Sequence, residues 1–173
     1  KKKLNLRLLY SNKRNVSYQR NFGARNSRFD LMLFLDADVS FNGSFLQHCI
    51  NSFQVKKIGL ASVRIEPSPN IFPENLFFIF FNLFSVILQY MKPISLGACI
   101  FIKKSIFFTG LGFDEDVTYA EDLDFINRKS KIAVFRILPH SLLFSTRRFD
   151  KLGSRMVIKA WIKTLLLYLF HKK

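Results

Sequence analysis

The sequence contains only two cysteines in 173 residues, Cys49 and Cys99, both inside apolar segments and without metal-ligand spacing. A disulfide framework and a cysteine-based zinc site are therefore excluded, and both residues are read as buried thiols of a reducing compartment. Acids are scarce as well: 12 Asp and Glu stand against 27 Lys and Arg, a formal charge of +15. Nor is there an apolar run long enough to cross a bilayer. The longest, Leu76–Met91, would reach about 24 Å as a helix against roughly 30 Å of hydrocarbon, and Asn82, Ser85 and Gln89 share one of its faces. A buried or interfacial helix is expected there. Lys1, Lys2 and Lys3 are not followed by the apolar run of about seven residues that a secretory signal needs. The sequence shows no initiating Met, internal repeat or low-complexity linker.

What is present argues for one folded α/β domain. An apolar fraction of 49% with 21 Phe demands a sizeable core or a membrane-facing surface. Leu4, Leu6 and Leu8 alternate with polar residues, as in a half-buried strand. Residues 17–27 suit a short helix in which Gly23 allows a close approach, and Leu31–Leu35 reads as a buried parallel strand ending in Asp36. A helix over 44–53, a strand over 58–65, a strand over 97–102, a short helix over 104–108 and a flexible Gly110–Gly112 link follow. A helix is expected to begin near Glu121, and strands over 132–138 and through Ser145 complete the sheet. This alternation predicts a mostly parallel sheet flanked by helices.

The cations are concentrated at the two ends. Residues 1–30 hold nine Lys and Arg and residues 129–173 hold eleven, each set against one acid. A field of this size favours nucleic acid, acidic lipid headgroups or phosphorylated small molecules. The signatures of a nucleic-acid binder, a zinc ligand set or an RNA-stacking motif, are missing, so nucleic acid is not expected as a partner. In the tail, Arg155, Lys159 and Lys163 form a stripe amid Val157, Ile158, Trp161, Ile162, Leu165, Leu166, Leu169 and Phe170. The segment 151–173 is thus a basic amphipathic helix suited to a membrane interface, or a terminal helix packed on the domain.

The acids cluster instead near the centre, at 36–38 and 114–124. Asp36 and Asp38 follow an apolar strand directly, so they should emerge at its carboxyl end, where open α/β sheets bind ligands. Two carboxylates there suit a hard divalent cation, Mg or Mn, whose shell substrate phosphates complete; capping of the next turn is the alternative. Asp122 falls in the first turn of its helix, where backbone amides can hold a carboxylate and aim it at a substrate. A calcium loop is excluded, because Tyr119 and Phe125 stand where it needs Gly and Glu. His140 stands alone beside Pro139, a weak metal candidate. Arg147 and Arg148 suit a diphosphate.

Gly23-Ala24-Arg25-Asn26, Phe34-Leu35-Asp36-Ala37-Asp38, Gly97, Gly112-Phe113-Asp114-Glu115 and Glu121-Asp122-Leu123-Asp124-Phe125, in this order, resemble the family 2 glycosyltransferases of GT-A, Rossmann-like fold. The resemblance runs from about Leu4 to Phe149 and implies a catalytic domain over 1–150. It implies inverting transfer of a sugar from a nucleotide-diphosphate donor to a saccharide or lipid-linked acceptor. Asp38 would be the main metal ligand, with Asp36 helping through the ribose or the metal, and Asp122 would be the base. Arg147 or Arg148 would meet the leaving diphosphate, Arg25 would lie near the nucleotide base, and Gly97 and Glu121 would lie on the acceptor side. The strand, Asn-Glu loop and second strand that usually open such proteins have no counterpart here, so the domain reads as incomplete at its amino-terminal side. Where many relatives carry a His near the end of the last strand, this sequence has Ser145, with His140 five residues earlier. The expected location is the cytoplasmic face of a membrane. The alternative function is an inactive, membrane-peripheral binding module derived from such an enzyme.

Overall fold

The computed structural model describes residues 6–55, 58–70 and 72–170. Helix α1 (Val16–Arg25) leads to strand β1 (Leu31–Leu35), the short β2 (Val39–Ser40), α2 (Phe45–Val55) and β3 (Leu60–Ser68). Then come α3 (Glu74–Leu88), β4 (Cys99–Lys103), α4 (Lys104–Phe108), α5 (Glu121–Ser130), β5 (Phe135–Ser145), α6 (Arg147–Leu152) and α7 (Ser154–Phe170). The expected strand over Leu4–Leu8 is not found: Leu4 lies outside the described residues, and residues 6–10 form no strand.

The five strands are ordered β1-β4-β3-β5-β2. β3 and β5 pair in parallel, whereas β4 runs antiparallel to both β1 and β3, and β2 antiparallel to β5. Three strands, β1, β3 and β5, thus share one direction, but the sheet is more mixed than a mostly parallel one because β4 is inserted between two of them. β1 is correspondingly not a buried parallel strand. Among the described residues it pairs only with β4, and Leu35 at its end is exposed. The inserted strand matters for function: its register sets Leu35 opposite Cys99, and the Asp36 amide donates to the Ala98 carbonyl at 3.1 Å. The carboxyl end of β1 therefore meets the amino end of β4.

β5 runs through Pro139, where two separate strands were expected. Proline has no N–H to give a ladder, and the pairing with β3 shifts register there, Val63 facing Leu138 while Arg64 faces Ser141. α6, which the sequence did not announce, turns the chain through Gly153 at φ 82°, a conformation glycine adopts without a steric penalty.

Many of the phenylalanines fill three apolar clusters, while others, such as Phe80 and Phe84, stay exposed. Phe107, Phe113 and Phe125 pack beneath α1, α4 and α5, with the Phe113 and Phe125 rings stacked at 3.9 Å. Phe45, Phe53, Phe101 and both buried cysteines lie under α2. Desolvation pushes the Cys49 thiol up to about 12, so it is chemically quiet. Phe78, Phe144, Phe149 and Val157 form the third cluster, against which Trp161 packs. Asn21 fixes the approach to α5: its buried amide donates to the Phe113 carbonyl at 2.8 Å and accepts from the Phe113 amide at 2.9 Å. The Gly110–Gly112 link is therefore pinned at its end and not free, and a Cβ at Gly112 would meet Asn21 at 2.5 Å. Gly23, in contrast, faces open space.

Candidate active site

Three chain segments converge at one end of the sheet. β1 delivers Asp36 and the turn after it Asp38, the start of β4 delivers Gly97, and the first turn of α5 delivers Asp122. With Tyr119, Arg148 and Trp161 they line a cleft of about 210 Å³. Asp38 is exposed, and its carbonyl accepts from the Ser145 amide at 3.0 Å, tying the acidic turn to the end of β5.

Asp122 is the most constrained group in the cleft. Its Oδ2 accepts from the Gly97 amide at 2.6 Å and its Oδ1 from the Leu123 amide at 2.8 Å. A Cβ at position 97 would lie 2.6 Å from both the Cβ and the Oδ2 of Asp122, so this approach requires glycine. Burial first, and then the neighbouring Glu121, raise the Asp122 carboxyl from 3.8 to about 6, against the lowering effect of the two amides and of Arg20. A carboxylate poised near neutrality in a cleft has the acidity a general base needs.

Arg20 is the site residue that sequence reasoning missed. From α1 its Nη2 reaches Asp36 Oδ1 and its Nη1 reaches Glu121 Oε1, each at 2.9 Å, while the guanidinium lies 5.1 Å from the centre of the Phe113 ring. It joins the two acidic clusters, which lie far apart in the chain. Nothing in the local sequence sets it apart from the other amino-terminal cations, because its partners are 16 and 101 residues away. The contribution of α7 was missed too: Trp161, Thr164 and Leu165 wall the cleft, and the Thr164 hydroxyl meets the Tyr119 hydroxyl at 2.5 Å.

Other sequence candidates fall at different distances from the cleft. Arg148 lines it, Arg147 does not, and Glu121 stands behind it on Arg20. Arg25 also lies outside it, exposed on α1 with its guanidinium 5.9 Å from the Tyr18 ring centre. His140 sits on the α2 side, where its Nε2 is 2.9 Å from the Ser52 hydroxyl and its ring stacks near His48. It is not positioned as a third ligand beside Asp36 and Asp38.

Among the described residues no group of three or more His, Cys, Asp or Glu could hold a metal by itself. Asp36 and Asp38 nevertheless offer only hard oxygen donors, and both open into the same cleft. That donor set fits a Mg or Mn ion held by two carboxylates, with phosphate oxygens and water as its remaining ligands.

The sequence model of glycosyl transferase family 2 matches residues 1–109, which include Asp36, Asp38 and Gly97 and stop short of Asp122. A solved structure of TarS residues 1–349 from S. aureus superposes with a TM-score of 0.58 at 14% identity, covering 86% of this chain. This chain in turn spans 45% of that TarS chain. No curated protein sequence is matched. The superposition shows the fold to be the GT-A, Rossmann-like α/β class, and the match over residues 1–109 shows that the chain belongs to glycosyl transferase family 2.

Proposed function

We propose that the cleft transfers a sugar from a nucleotide-diphosphate donor to an acceptor hydroxyl with inversion at the anomeric carbon. The observation that carries this reading is the enclosed Asp122 carboxylate facing the same cleft as Asp36 and Asp38. Asp122 takes the acceptor proton as the acceptor oxygen attacks the anomeric carbon and the glycosyl–phosphate bond breaks on the opposite side. Gly97 and Leu123 hold the carboxylate at a fixed angle, which confines attack to one face of the sugar. Arg148 meets the charge that develops on the departing diphosphate. Asp36 and Asp38 would hold a divalent cation, which supplies further neutralisation of that diphosphate when bound. Arg20 keeps Asp36 and Glu121 in register.

The basic 151–173 segment supports a peripheral position at the cytoplasmic face of a membrane, with residues 1–150 as the catalytic part. The acceptor is then a saccharide or a lipid-linked hydroxyl. A second reading, an inactive module, is favoured by one observation: Arg20 already neutralises Asp36. Calorimetric titration of UDP and GDP with and without Mn, on the chain and on Asp38→Ala, separates the two. Metal-dependent binding that disappears in Asp38→Ala supports a working donor site. Absence of binding to either nucleotide overturns it.

A further inference from the structure

α3 is inverted relative to the surface helix of a water-soluble protein. Asn82 within it and Gln89 at its end turn inward and satisfy the sheet. The Asn82 amide bonds both backbone groups of Ile65, at 2.8 and 3.0 Å, where β3 has run past the end of β4, and Gln89 Oε1 accepts from the Ile137 amide at 2.9 Å. Ser85 and Glu74 are buried. The outward stripe is apolar throughout: Leu76, Ile79, Phe80, Leu83, Phe84 and Ile87 are each 45% to 55% exposed, and Tyr90 and Met91 extend it. A contiguous apolar face of this kind marks an interaction surface.

α7 lies beside α3 and runs in the same direction. Ser154 bonds Glu74 at their amino ends, and Trp161 packs on Phe77 and Phe78 at ring separations of 5.7 and 6.1 Å along their length. At their carboxyl ends Lys92 donates to the Tyr168 and Leu169 carbonyls, and the Tyr168 hydroxyl donates to the Pro93 carbonyl. The exposed side of α7 carries Arg155, Lys159 and Lys163 in its first part and Ile162, Leu166, Leu167 and Phe170 in its last. Its charge is therefore graded along the axis as well as around it.

We infer that α3 and α7 together form a docking plate for an anionic lipid bilayer surface, and that the transferred sugar is received by a hydroxyl borne on a lipid and delivered along α7. The second half rests on the transferase reading; the first does not. Charge decides the occupant. The only acid on either helix, Glu74, is buried, so the exposed charges of the two helices are cationic; beside them Glu66 of β3 lines a groove with Ile79 and Leu83, where Arg64 stands with it. A second copy with the same +15 charge would bring like charges together, whereas acidic headgroups meet the lysines as the apolar side chains enter the acyl boundary. Among the described residues no helix is long and apolar enough to cross a membrane, which suits elements that lie in its plane. Trp161, Thr164 and Leu165, on the other side of α7, wall the catalytic cleft. The cleft thus stands about one helix diameter, roughly 10 Å, from the docked surface.

Flotation of the whole chain with phosphatidylcholine vesicles, alone and with about 30% phosphatidylserine, tests this. Binding is expected with the acidic vesicles and should fall as salt rises. Phe80→Gln with Phe84→Gln should weaken it roughly fivefold to tenfold per residue, since each ring is already half buried. Arg155→Gln, Lys159→Gln and Lys163→Gln together should weaken it roughly a hundredfold. Circular dichroism confirms folding of each variant, and nucleotide titration of the same variants keeps the two readings apart. Flotation without nucleotide binding would leave the docking plate standing and remove the transferase. Failure of the unaltered chain to float, flotation that neither variant set weakens, or sedimentation showing a dimer that the α3 variant dissolves would overturn the docking plate.

Discussion

Replacing Asp122 by asparagine should make the folded chain more stable at neutral pH while removing its capacity to accept a proton. The carboxyl is raised from 3.8 to about 6, chiefly by burial. That rise corresponds to about 3 kcal/mol of stability that the ionised side chain forfeits at neutral pH. The sign follows from proton binding: between 3.8 and about 6 the folded chain holds the proton more tightly than the unfolded chain. The group's contribution is thus fully present below 3.8 and lost as pH rises through about 6. Asparagine removes the charge but returns part of the gain. It has one acceptor oxygen for the two amides of Gly97 and Leu123, which costs about 1 to 2 kcal/mol. The variant should therefore be about 1 to 2 kcal/mol more stable near neutral pH, and this advantage should vanish or reverse below pH 4. Urea denaturation of both proteins across that range measures it, and the difference between them cancels the titratable groups that do not interact with Asp122. A difference that stays flat with pH would refute the account of burial as the cause. In a transfer assay the same variant should lose roughly 100-fold to 10,000-fold in kcat.

Gly97→Ala should force Asp122 aside, lowering thermal stability by about 1 to 3 kcal/mol and turnover more than nucleotide affinity; unchanged turnover would show that Asp122 is not the base. Arg20→Met leaves Asp36 and Glu121 without their shared cation and should cost about 2 kcal/mol, less than a fully buried pair and more than a surface one, as read by chemical denaturation. Asn82→Leu strands the two backbone groups of Ile65 and should cost about 2 kcal/mol, with hydrogen exchange quickening at the Ile65 amide.

The family 2 resemblance and the α/β class were both legible in the sequence, because their signals are local. An apolar run ending in Asp36 and Asp38 fixes where a strand stops, and Glu121 marks the start of a helix so closely that Asp122 falls where the motif placed it. Helical spacing over Phe45–Phe53 and the tail from Ser154 to Phe170 likewise correspond to α2 and α7. The polar face of α3 was visible too, but its orientation was not. Periodicity shows that two faces differ. Which of them meets the sheet depends on the bare backbone at Ile65 and Ile137, which belongs to other elements.

The order of the strands and the assembly of the cleft were decided only in three dimensions. The insertion of β4 between β1 and β3 follows from how the segment after α3 returns to the sheet, and no residue of β4 encodes its neighbours or its direction. Gly97 becomes indispensable only because α5 brings Asp122 within 2.6 Å of it, and Arg20 acquires a role only when α1 lies over the ends of β1 and α5. Sequence pattern thus determined most of the helices and strands and which carboxylates are the candidates for chemistry, since propensity and amphipathic period act over a few residues. Long-range packing determined which groups touch, because a hydrogen bond or ion pair between residues 25 or 101 positions apart leaves no trace in the local spacing of either partner.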